Sequence, residues 1–394
     1  MAKPDFGLFD ADNHYYEATD AFTRHIDKDM RKRCMQWAEV AGKTRLLVGG
    51  EVNSFIPNPT FDPIAKPGSL QAFFKGQDKS GQDLKALFGE LEPIRPEYRD
   101  RDARLAVMDE QGVDACWMFP TLGVGMEEAL KHDPVAIVAA FRAFNEWLAD
   151  DWGYAYRDRI FAAPYVSLVD IDEAIHELEL VLDRGARFIC LRPAPVDTPA
   201  GCRSPFLEEF DPFWARVAEA GIAAAFHGGD SGAARMVRVW EPETTYRAFF
   251  ATPLQRVIQG NRAITDCMAA ALCHKVFDRH PRLRFASIEN GASWVIGLVK
   301  KVDKAAKQTP GWFRERPSET FRRHVWVSPF WEDNAARATE SIGVERTLFG
   351  SDWPHTEGMQ TPSDYVDELS ALSPTDIRRV MRDNCWELTR PLVA

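Results

Sequence analysis

The chain lacks several features that define common classes of protein. It has no CxxC pair, and its seven cysteines lie singly along 394 residues, which excludes a zinc ribbon and argues against a disulfide framework. No apolar run approaches the roughly 18 residues of a membrane span, and residues 1–13 contain no apolar segment typical of a secretory signal. The sequence therefore predicts a cytoplasmic protein with reduced thiols and no membrane partner.

Positive charge is also scarce. There are 48 lysine and arginine residues against 59 acidic ones, a formal net charge of -11, and no basic run is present. Because nucleic-acid binding depends on neutralising phosphates, this balance argues against DNA or RNA as a partner. The fractions of hydrophobic residues (45%) and charged residues (27%) are those of a globular protein with a sizeable core.

From about residue 101 the chain alternates amphipathic helical segments with short apolar strands. The helical stripe of residues 134–150 followed by the apolar run of 160–168 is one example. Buried strands that alternate with helices indicate a parallel sheet. The predicted strands are 7–14, 113–119, 160–168, 187–193, 222–228, 283–289, 324–329 and 346–352. Eight such units predict a (β/α)8 TIM barrel, with residues 1–394 forming a single domain.

Two long segments interrupt this rhythm, 15–100 after the first strand and 229–262 after the fifth. Within the first, TRLLVGGEVNSFIP predicts a hairpin that turns at Gly49 and Gly50. Insertions that follow barrel strands lie on the face where chemistry takes place. We interpret both as lid or substrate-pocket segments; the alternative is a mobile surface loop or, for the first, a dimer arm.

Six polar residues follow the apolar runs of five predicted strands. They are Asp12 and His14 on strand one, Arg192 on strand four, His227 on strand five, Glu289 on strand six and Asp352 on strand eight. In a barrel these strand ends converge on one mouth. Two imidazoles and two carboxylates suit a divalent metal such as Zn, with Mn or Fe as alternatives. We therefore predict Asp12, His14, His227 and Asp352 as metal ligands, although either histidine alone could be a buried core residue.

Three motifs resemble the amidohydrolase superfamily: DADNH at 10–14, FHGGD at 226–230 and FGSDWPH at 349–355. The resemblance is strongest to its amidohydrolase-2 branch, the aminocarboxymuconate-semialdehyde decarboxylase-like group, and it extends from strand one to strand eight. This family implies a metal-dependent (β/α)8 barrel that acts on small carboxylated or aromatic molecules by decarboxylation, hydrolysis or hydration. It also implies a homo-oligomer, a dimer or larger.

The resemblance assigns roles to individual positions. The family's H-x-H motif falls on Asp12 and His14, with aspartate in the first place, and its strand-five histidine falls on His227. Asp352 takes the place of the strand-eight aspartate, a metal ligand that also transfers protons. The lysine that bridges two metals in some members is absent from strand four, which implies one metal here.

The clearest departure from the family is on strand six, where the related decarboxylases carry histidine and this chain has Glu289. Glutamate can transfer protons if burial raises its pKa; alternatively it is a metal ligand, a hydrogen-bond partner of His227 or a helix cap. His355, which follows Asp352 closely, is a second candidate proton donor, or a polar loop residue. Asp352, Glu289 and His355 are thus the predicted catalytic residues.

Arg192, Asp230 and Trp331 are the predicted substrate-binding residues. A guanidinium suits a substrate carboxylate, although Arg192 could instead form an ion pair with Glu289 or Asp230. Trp331 closes strand seven and forms an aromatic wall or part of the core.

The residues and the family resemblance are compatible with three functions. The first is non-oxidative decarboxylation of a small aromatic or unsaturated carboxylic acid. The second is hydrolysis, with a metal-activated water attacking a C–O, C–N or C–C bond beside a carbonyl. The third is a barrel that binds a ligand without turnover, against which four desolvated ligand groups weigh because they are costly to bury without a metal.

Overall fold

The structure is a computed structural model and describes residues 4–198, 201–243, 247–248 and 250–393. Its strands are β1 (Leu8–Tyr15), β2 (Met35–Val40), β3 (Lys43–Val48), β4 (Glu51–Val52), β5 (Ile64–Ala65), β6 (Leu91–Glu92), β7 (Val113–Pro120), β8 (Ile160–Ala162), β9 (Phe188–Leu191), β10 (Val196–Thr198), β11 (Gly201–Arg203), β12 (Ala223–His227), β13 (Arg284–Ile288) and β14 (Val325–Val327).

Helices follow most of the strands. They are α1 (Gln71–Phe74), α2 (Leu84–Leu87), α3 (Arg101–Gln111), α4 (Met126–Ala129), α5 (Pro134–Asp151), α6 (Ile171–Asp183), α7 (Asp211–Ala220), α8 (Ala234–Val237), α9 (Pro253–Ile258), α10 (Arg262–Cys273), α11 (Val276–Arg279), α12 (Ser293–Gln308), α13 (Pro317–His324), α14 (Ala335–Ile342), α15 (Pro374–Arg378) and α16 (Asn384–Thr389). Short 3-10 turns lie at Lys28–Met30, Pro96–Tyr98, Gly123–Gly125, Glu208–Phe210, Val344–Arg346 and Pro362–Leu369, and a π-helical turn lies at Arg379–Asp383.

Two parallel sheets form the centre of the fold. One has the order β1-β7-β8 and the other β9-β12-β13-β14. Isolated parallel bridges lie between them on both sides: Tyr165 with Cys190, Val327 with Thr347, and Asn13 with Trp353. The prediction of a parallel α/β fold is confirmed by these sheets.

The sequence explains why these segments form buried strands. Every residue of β12 and β13 is buried, as expected where helices cover one face of a parallel sheet and the opposite face packs on the core. Across the junction of the two sheets, Trp117 stacks on Phe188 with ring centroids 4.1 Å apart. Side-chain caps define helix starts, as where Asp170 accepts a hydrogen bond from the backbone N–H of Glu173.

Several predicted boundaries differ from the structure. The predicted strand 160–168 ends at Ala162, because Pro164 has no N–H to continue the ladder. The predicted strand 346–352 is a 3-10 turn followed by the extended segment 347–353, which is bonded to its neighbours at separate points: Leu348 N donates to Val327 O at 2.9 Å and Asp352 N to Asp12 O at 2.8 Å.

Both predicted insertions add short strands or helices on the same side of the fold, β2–β6, α1 and α2 in the first and α8 and α9 in the second. The hairpin predicted at Gly49 and Gly50 is present, with Val48 paired to Glu51. The insertions contact each other, since Ala248 N donates a hydrogen bond to Phe55 O at 3.0 Å. The first is also bonded to the loop after the last extended segment through Gly68 N and His355 O at 3.0 Å.

The cysteines and helices agree with the composition. All seven cysteines are free thiols. Among the described residues, no helix combines the length and apolar character needed to cross a membrane.

Candidate active site

Four elements bring the predicted ligands to one mouth. Asp12 and His14 lie on β1, His227 is the last residue of β12, and Glu289 follows the end of β13 directly. Asp352 lies on the extended segment 347–353 beside β1. Because parallel strands end on the same side of a sheet, their carboxyl ends meet here, as the sequence predicts.

The ligand atoms are closely and evenly spaced. Asp12 Oδ1 lies 3.3 Å from His14 Nε2 and 3.4 Å from His227 Nε2. Glu289 Oε2 lies 3.4 Å from His14 Nε2 and 3.2 Å from His227 Nε2, and Asp352 Oδ1 lies 3.4 Å from His14 Nε2. Ligands about 2.1 Å from a tetrahedral ion are separated by about 3.4 Å. The spacing of Asp12, His14, His227 and Glu289 therefore fits one ion, while Asp352 belongs with His14, Glu289 and His355 to an adjoining group.

Buried atoms without partners support the same interpretation. Asp12 Oδ1, His14 Nε2 and His227 Nε2 are buried and form no well-directed hydrogen bond, since their only polar neighbours are one another and Glu289 and Asp352, although buried polar atoms are normally bonded. The other nitrogen of His227, Nδ1, lies 2.7 Å from Gly228 O. Since the carbonyl can only accept, Nδ1 carries the proton and Nε2 presents a lone pair to the cluster. The residues present thus fit a divalent cation.

The electrostatics of the cluster favour positive charge. Burial alone would lower the pKa of His14, but hydrogen bonds to Asp12 and Glu289 raise it to about 10. Burial would raise the pKa of Asp12, but its hydrogen bonds to His14 and His227 lower it. A site that holds a proton this strongly on an imidazole is one that a metal cation would also stabilise.

Two residues of the mouth have left-handed backbone conformations. Glu289 has φ of 53° and Asp352 has φ of 56°, a region that residues other than glycine rarely adopt. Such conformations persist where surrounding contacts enforce them and are concentrated at functional sites. Here each turns a carboxylate back toward the mouth at the point where an extended segment ends.

Two glycines allow the backbones of the mouth to approach closely. A Cβ at Gly228 would lie 2.3 Å from Glu289 O, and one at Gly350 would lie 2.5 Å from Asp12 Cβ. Neither position has room for a side chain. The close packing sets how far the ligand residues lie from one another.

Asp352 is also bonded to His355. His355 Nδ1 lies 2.6 Å from Asp352 Oδ1, and His355 Nε2 lies 2.9 Å from Thr121 Oγ1. The Thr121 hydroxyl donates its only proton to Tyr15 O at 2.7 Å, so it accepts from Nε2–H of His355. Burial raises the pKa of Asp352 well above its ordinary value and lowers that of His355 well below its own, which places the shared proton on the carboxyl group.

Asp10 joins β1 to the segment that carries Asp352. Its carboxylate accepts hydrogen bonds from Ser351 N at 2.9 Å and Ser351 Oγ at 2.5 Å, and from Asn13 Nδ2 at 2.9 Å. Asn13 Oδ1 in turn accepts from the buried Arg104 at 2.5 Å. Asp10 therefore links β1 to the segment that carries Asp352, and its carboxylate is not part of the ligand cluster.

A cavity of about 780 Å³ opens above this cluster, within the range of small-molecule sites. His14, Glu289 and His355 form its floor. Residues of both insertions form its walls, including Phe55, Ile56, Phe61, Ile64, Phe74, Phe88, Leu91, Asp230, Arg247, Phe250 and Gln259. A bound molecule would thus contact the cluster at one end and a largely apolar wall at the other.

The three predicted substrate-binding residues are placed differently from one another. Asp230 lines the cavity, and burial raises its pKa to about 6. Arg192 is absent from the cavity wall; its guanidinium lies 2.7 Å from Glu128 and 3.6 Å from Glu127. These partners differ from the ion pairs considered from sequence, and a substrate carboxylate at Arg192 would have to compete with them.

Trp331 is buried and is likewise absent from the cavity wall. Its indole N–H donates to Glu357 O at 2.9 Å, and Lys75 lies 5.0 Å from the ring centroid. Phe330, the preceding residue, lines the cavity instead. The structure thus brings Asp230, but neither Arg192 nor Trp331, to the cavity.

Sequence reasoning missed two residues beside the cluster. Thr121 follows β7 and orients His355, but a single threonine after a strand has no distinguishing pattern. Glu357 lines the cavity; burial and the nearby carboxylate of Glu289 raise its pKa to about 7. Its position five residues after Asp352 and two after the FGSDWPH motif was the available signal.

Comparison with known proteins gives the family. A family model described as amidohydrolase matches residues 58–388, and the chain belongs to this amidohydrolase family. It is similar to the crystal structure of an amidohydrolase from Mycobacterium avium subsp. paratuberculosis K-10, with 45% identity over 99% of each chain and a TM-score of 0.94. A search of the curated proteins found no match.

More distant solved structures share the fold. One is a dihydroxybenzoic acid decarboxylase from Polaromonas sp. JS666 with bound manganese and 2-nitroresorcinol, 17% identical with a TM-score of 0.59, covering 83% of this chain and 96% of its own. Another is the 5-carboxyvanillate decarboxylase of Sphingomonas paucimobilis, 15% identical with a TM-score of 0.58, covering 98% of this chain and all of its own. At these identities the likeness concerns the fold alone.

Proposed function

We propose that this amidohydrolase-family chain is a metal-dependent carboxy-lyase with a closed eight-stranded barrel. The observation that carries the proposal is the group of unpartnered, buried ligand atoms of Asp12, His14 and His227 at the floor of a large cavity. The bridges of Tyr165, Thr347 and Trp353 to neighbouring strands support closure of the barrel. The substrate would be an aromatic or unsaturated carboxylic acid.

Asp12, His14 and His227 would hold one divalent metal, with Glu289 within reach of the same position and Asp352 in the adjoining group with His14 and His355. When bound, the metal would supply a Lewis acid that stabilises negative charge on a substrate oxygen. The manganese of the Polaromonas decarboxylase supports Mn as well as the Zn or Fe that the ligand types allow.

The remaining chemistry belongs to the chain's own side chains. Decarboxylation breaks the bond between the substrate carbon and its carboxylate, releases CO2, and requires one proton at that carbon. Asp352, which shares a proton with His355 at 2.6 Å, is positioned to deliver it. Glu289 reaches the same space from β13 and is the alternative donor.

Hydrolysis is the second candidate, favoured by the same Asp352–His355 pair. Once Asp352 has released its shared proton, its carboxylate beside the neutral His355 can accept a proton from an attacking water. The name of the similar Mycobacterium protein, an amidohydrolase, is compatible with either reaction.

Product analysis with a histidine variant tests the proposal. The metal-loaded enzyme should release CO2 from members of a panel of aromatic and unsaturated acids, and His227→Ala should lose both bound metal and CO2 release. His274→Ala is the matched control, because His274 lies outside the cavity and bonds to Ser204. Release of acid or amine from esters or amides without CO2 would favour hydrolysis; full activity of metal-free His227→Ala would refute both candidates.

A further inference from the structure

The cavity is larger than a single-ring acid requires. At the roughly 30 Å³ that one water occupies in the liquid, its volume of about 780 Å³ corresponds to about 26 water molecules. A one-ring hydroxybenzoate has fewer than half as many non-hydrogen atoms. Most of the space would then hold water against apolar walls, which is unfavourable.

Much of the cavity wall is apolar, although Asp230, Arg247 and Gln259 also line it. Phe55, Phe61, Ile64 and Phe74 of the first insertion face the cavity, and Phe250 of the second faces it as well. Four of these five are aromatic. Side chains of this kind stabilise a ligand in proportion to the apolar area that it buries.

Backbone hydrogen bonds hold the cavity walls in place beside the ligand cluster. Glu289, His14 and His355 line the cavity, and under the proposed function the carboxylate end of a ligand lies beside them. The two insertions are bonded to each other between Ala248 N and Phe55 O. The first insertion is also bonded to the loop after Asp352, where Leu70 N donates to Thr356 O at 2.8 Å. The apolar space is thus part of the built site.

We propose that the substrate of this site is a hydrophobic carboxylic acid with an apolar body larger than one ring. This inference rests on the proposed function for the reacting end of the molecule and adds the size and character of the rest. The shared chemistry is one carboxylate on a bulky apolar body, which either a fused-ring system or a long alkyl chain could supply.

Equilibrium binding to the manganese-loaded full chain tests the inference. The probes are benzoate, 1-naphthoate and pyrene-1-carboxylate for fused rings, and hexadecanoate for a chain. We expect the dissociation constant to fall about tenfold with each step in ring size, or to be at least tenfold lower for hexadecanoate than for benzoate. Whichever series shows the trend identifies the apolar body. Equal or weaker binding of all the larger acids would overturn the inference.

A space-filling variant supplies a second readout. Ala263→Trp places a large side chain in the cavity wall and should weaken binding of the preferred larger acid at least tenfold while leaving benzoate within twofold. Ala106→Trp, on the exposed face of α3 outside the cavity, should change neither value. Unchanged binding in Ala263→Trp would also overturn the inference. Because binding is measured without turnover, tight binding with no CO2 or hydrolysis product would refute the proposed function alone.

Discussion

At the scale of single residues, hydrogen bonds set the tautomers of two histidines at the mouth. Gly228 O fixes the tautomer of His227, and the Thr121 hydroxyl fixes that of His355. His227 carries its proton on Nδ1, which leaves Nε2 free to bind a metal. His355 carries its proton on Nε2, which leaves Nδ1 to accept a hydrogen bond from Asp352. Second partners of this kind orient metal-site histidines in general.

Thr121→Val should destabilise the protein and disturb His355. The valine has nearly the shape of threonine but leaves both the Nε2–H of His355 and the carbonyl of Tyr15 without a partner, at a cost of about 1–3 kcal/mol in the free energy of unfolding. Urea denaturation measures this loss, and NMR of the imidazole nitrogens reports the tautomer. Thr121→Ser keeps the hydroxyl and should restore both readouts; an unchanged tautomer in the valine variant would contradict the assignment.

The residues that sequence could place are those that end strands. Asp12, His14, His227 and Glu289 follow apolar runs, and the rule that parallel strands end on one side brings them together. Thr121 could not be placed, because its contact with His355 joins residues 234 positions apart and follows no local pattern. The chemical roles of the strand-end residues stay predictions until bound metal and reaction product are measured.

At the scale of elements, the last extended segment is the critical piece. Residues 347–353 carry Asp352, yet they are bonded to their neighbours at separate points and not by a continuous ladder. Asp10 makes up for this by bonding the backbone and side chain of Ser351. Sequence predicted a strand here from its apolar run; whether such a run forms a regular ladder depends on side-chain anchors that propensity does not encode.

Asp10→Ala should therefore loosen this segment selectively. Loss of the carboxylate leaves buried donors of Ser351 and Asn13 unpaired and should lower the free energy of unfolding by about 3 kcal/mol, measured with urea. Hydrogen exchange at the Asp352 amide should accelerate more than exchange within β12 and β13. Asp114→Ala, at an exposed residue bonded to Arg382, is the control and should change stability by less than about 0.5 kcal/mol. Uniform acceleration throughout the chain would argue against a local anchor.

At the scale of the whole molecule, the ligand cluster brings together residues from near both ends of the chain. Its residues come from β1, from β12 and β13, and from a segment near the end of the chain. Residues 15–100 and 229–262 complete the site from above through the cavity walls. The alternation of strands and helices made the parallel fold predictable, but the placement of long insertions depends on tertiary contacts such as that of Ala248 with Phe55.

Metal removal should accordingly lower global stability. An ion that binds only the folded chain adds about 2.7 kcal/mol to the free energy of unfolding at a hundred times its dissociation constant. Urea denaturation with and without Mn²⁺ should show this increase in the native protein, and His227→Ala should show none. An equal effect of Mn²⁺ on both proteins would place the ion elsewhere.

The left-handed conformations of Glu289 and Asp352 imply a trade-off between stability and activity. Glycine adopts this conformation without strain, so the metal-free Glu289→Gly protein should have a free energy of unfolding about 1 kcal/mol higher than Glu289→Ala, since both lack the ion pairs with His14 and His227, and neither should turn over substrate. Ala41→Gly, in an exposed turn with φ of 53°, should give a similar increase in urea denaturation and keep full activity. If Glu289→Gly is no more stable than Glu289→Ala, the left-handed conformation of residue 289 carries no strain and the trade-off is refuted. Selection for maximal stability would have placed glycine after β13, so the glutamate at this position is evidence of selection for function.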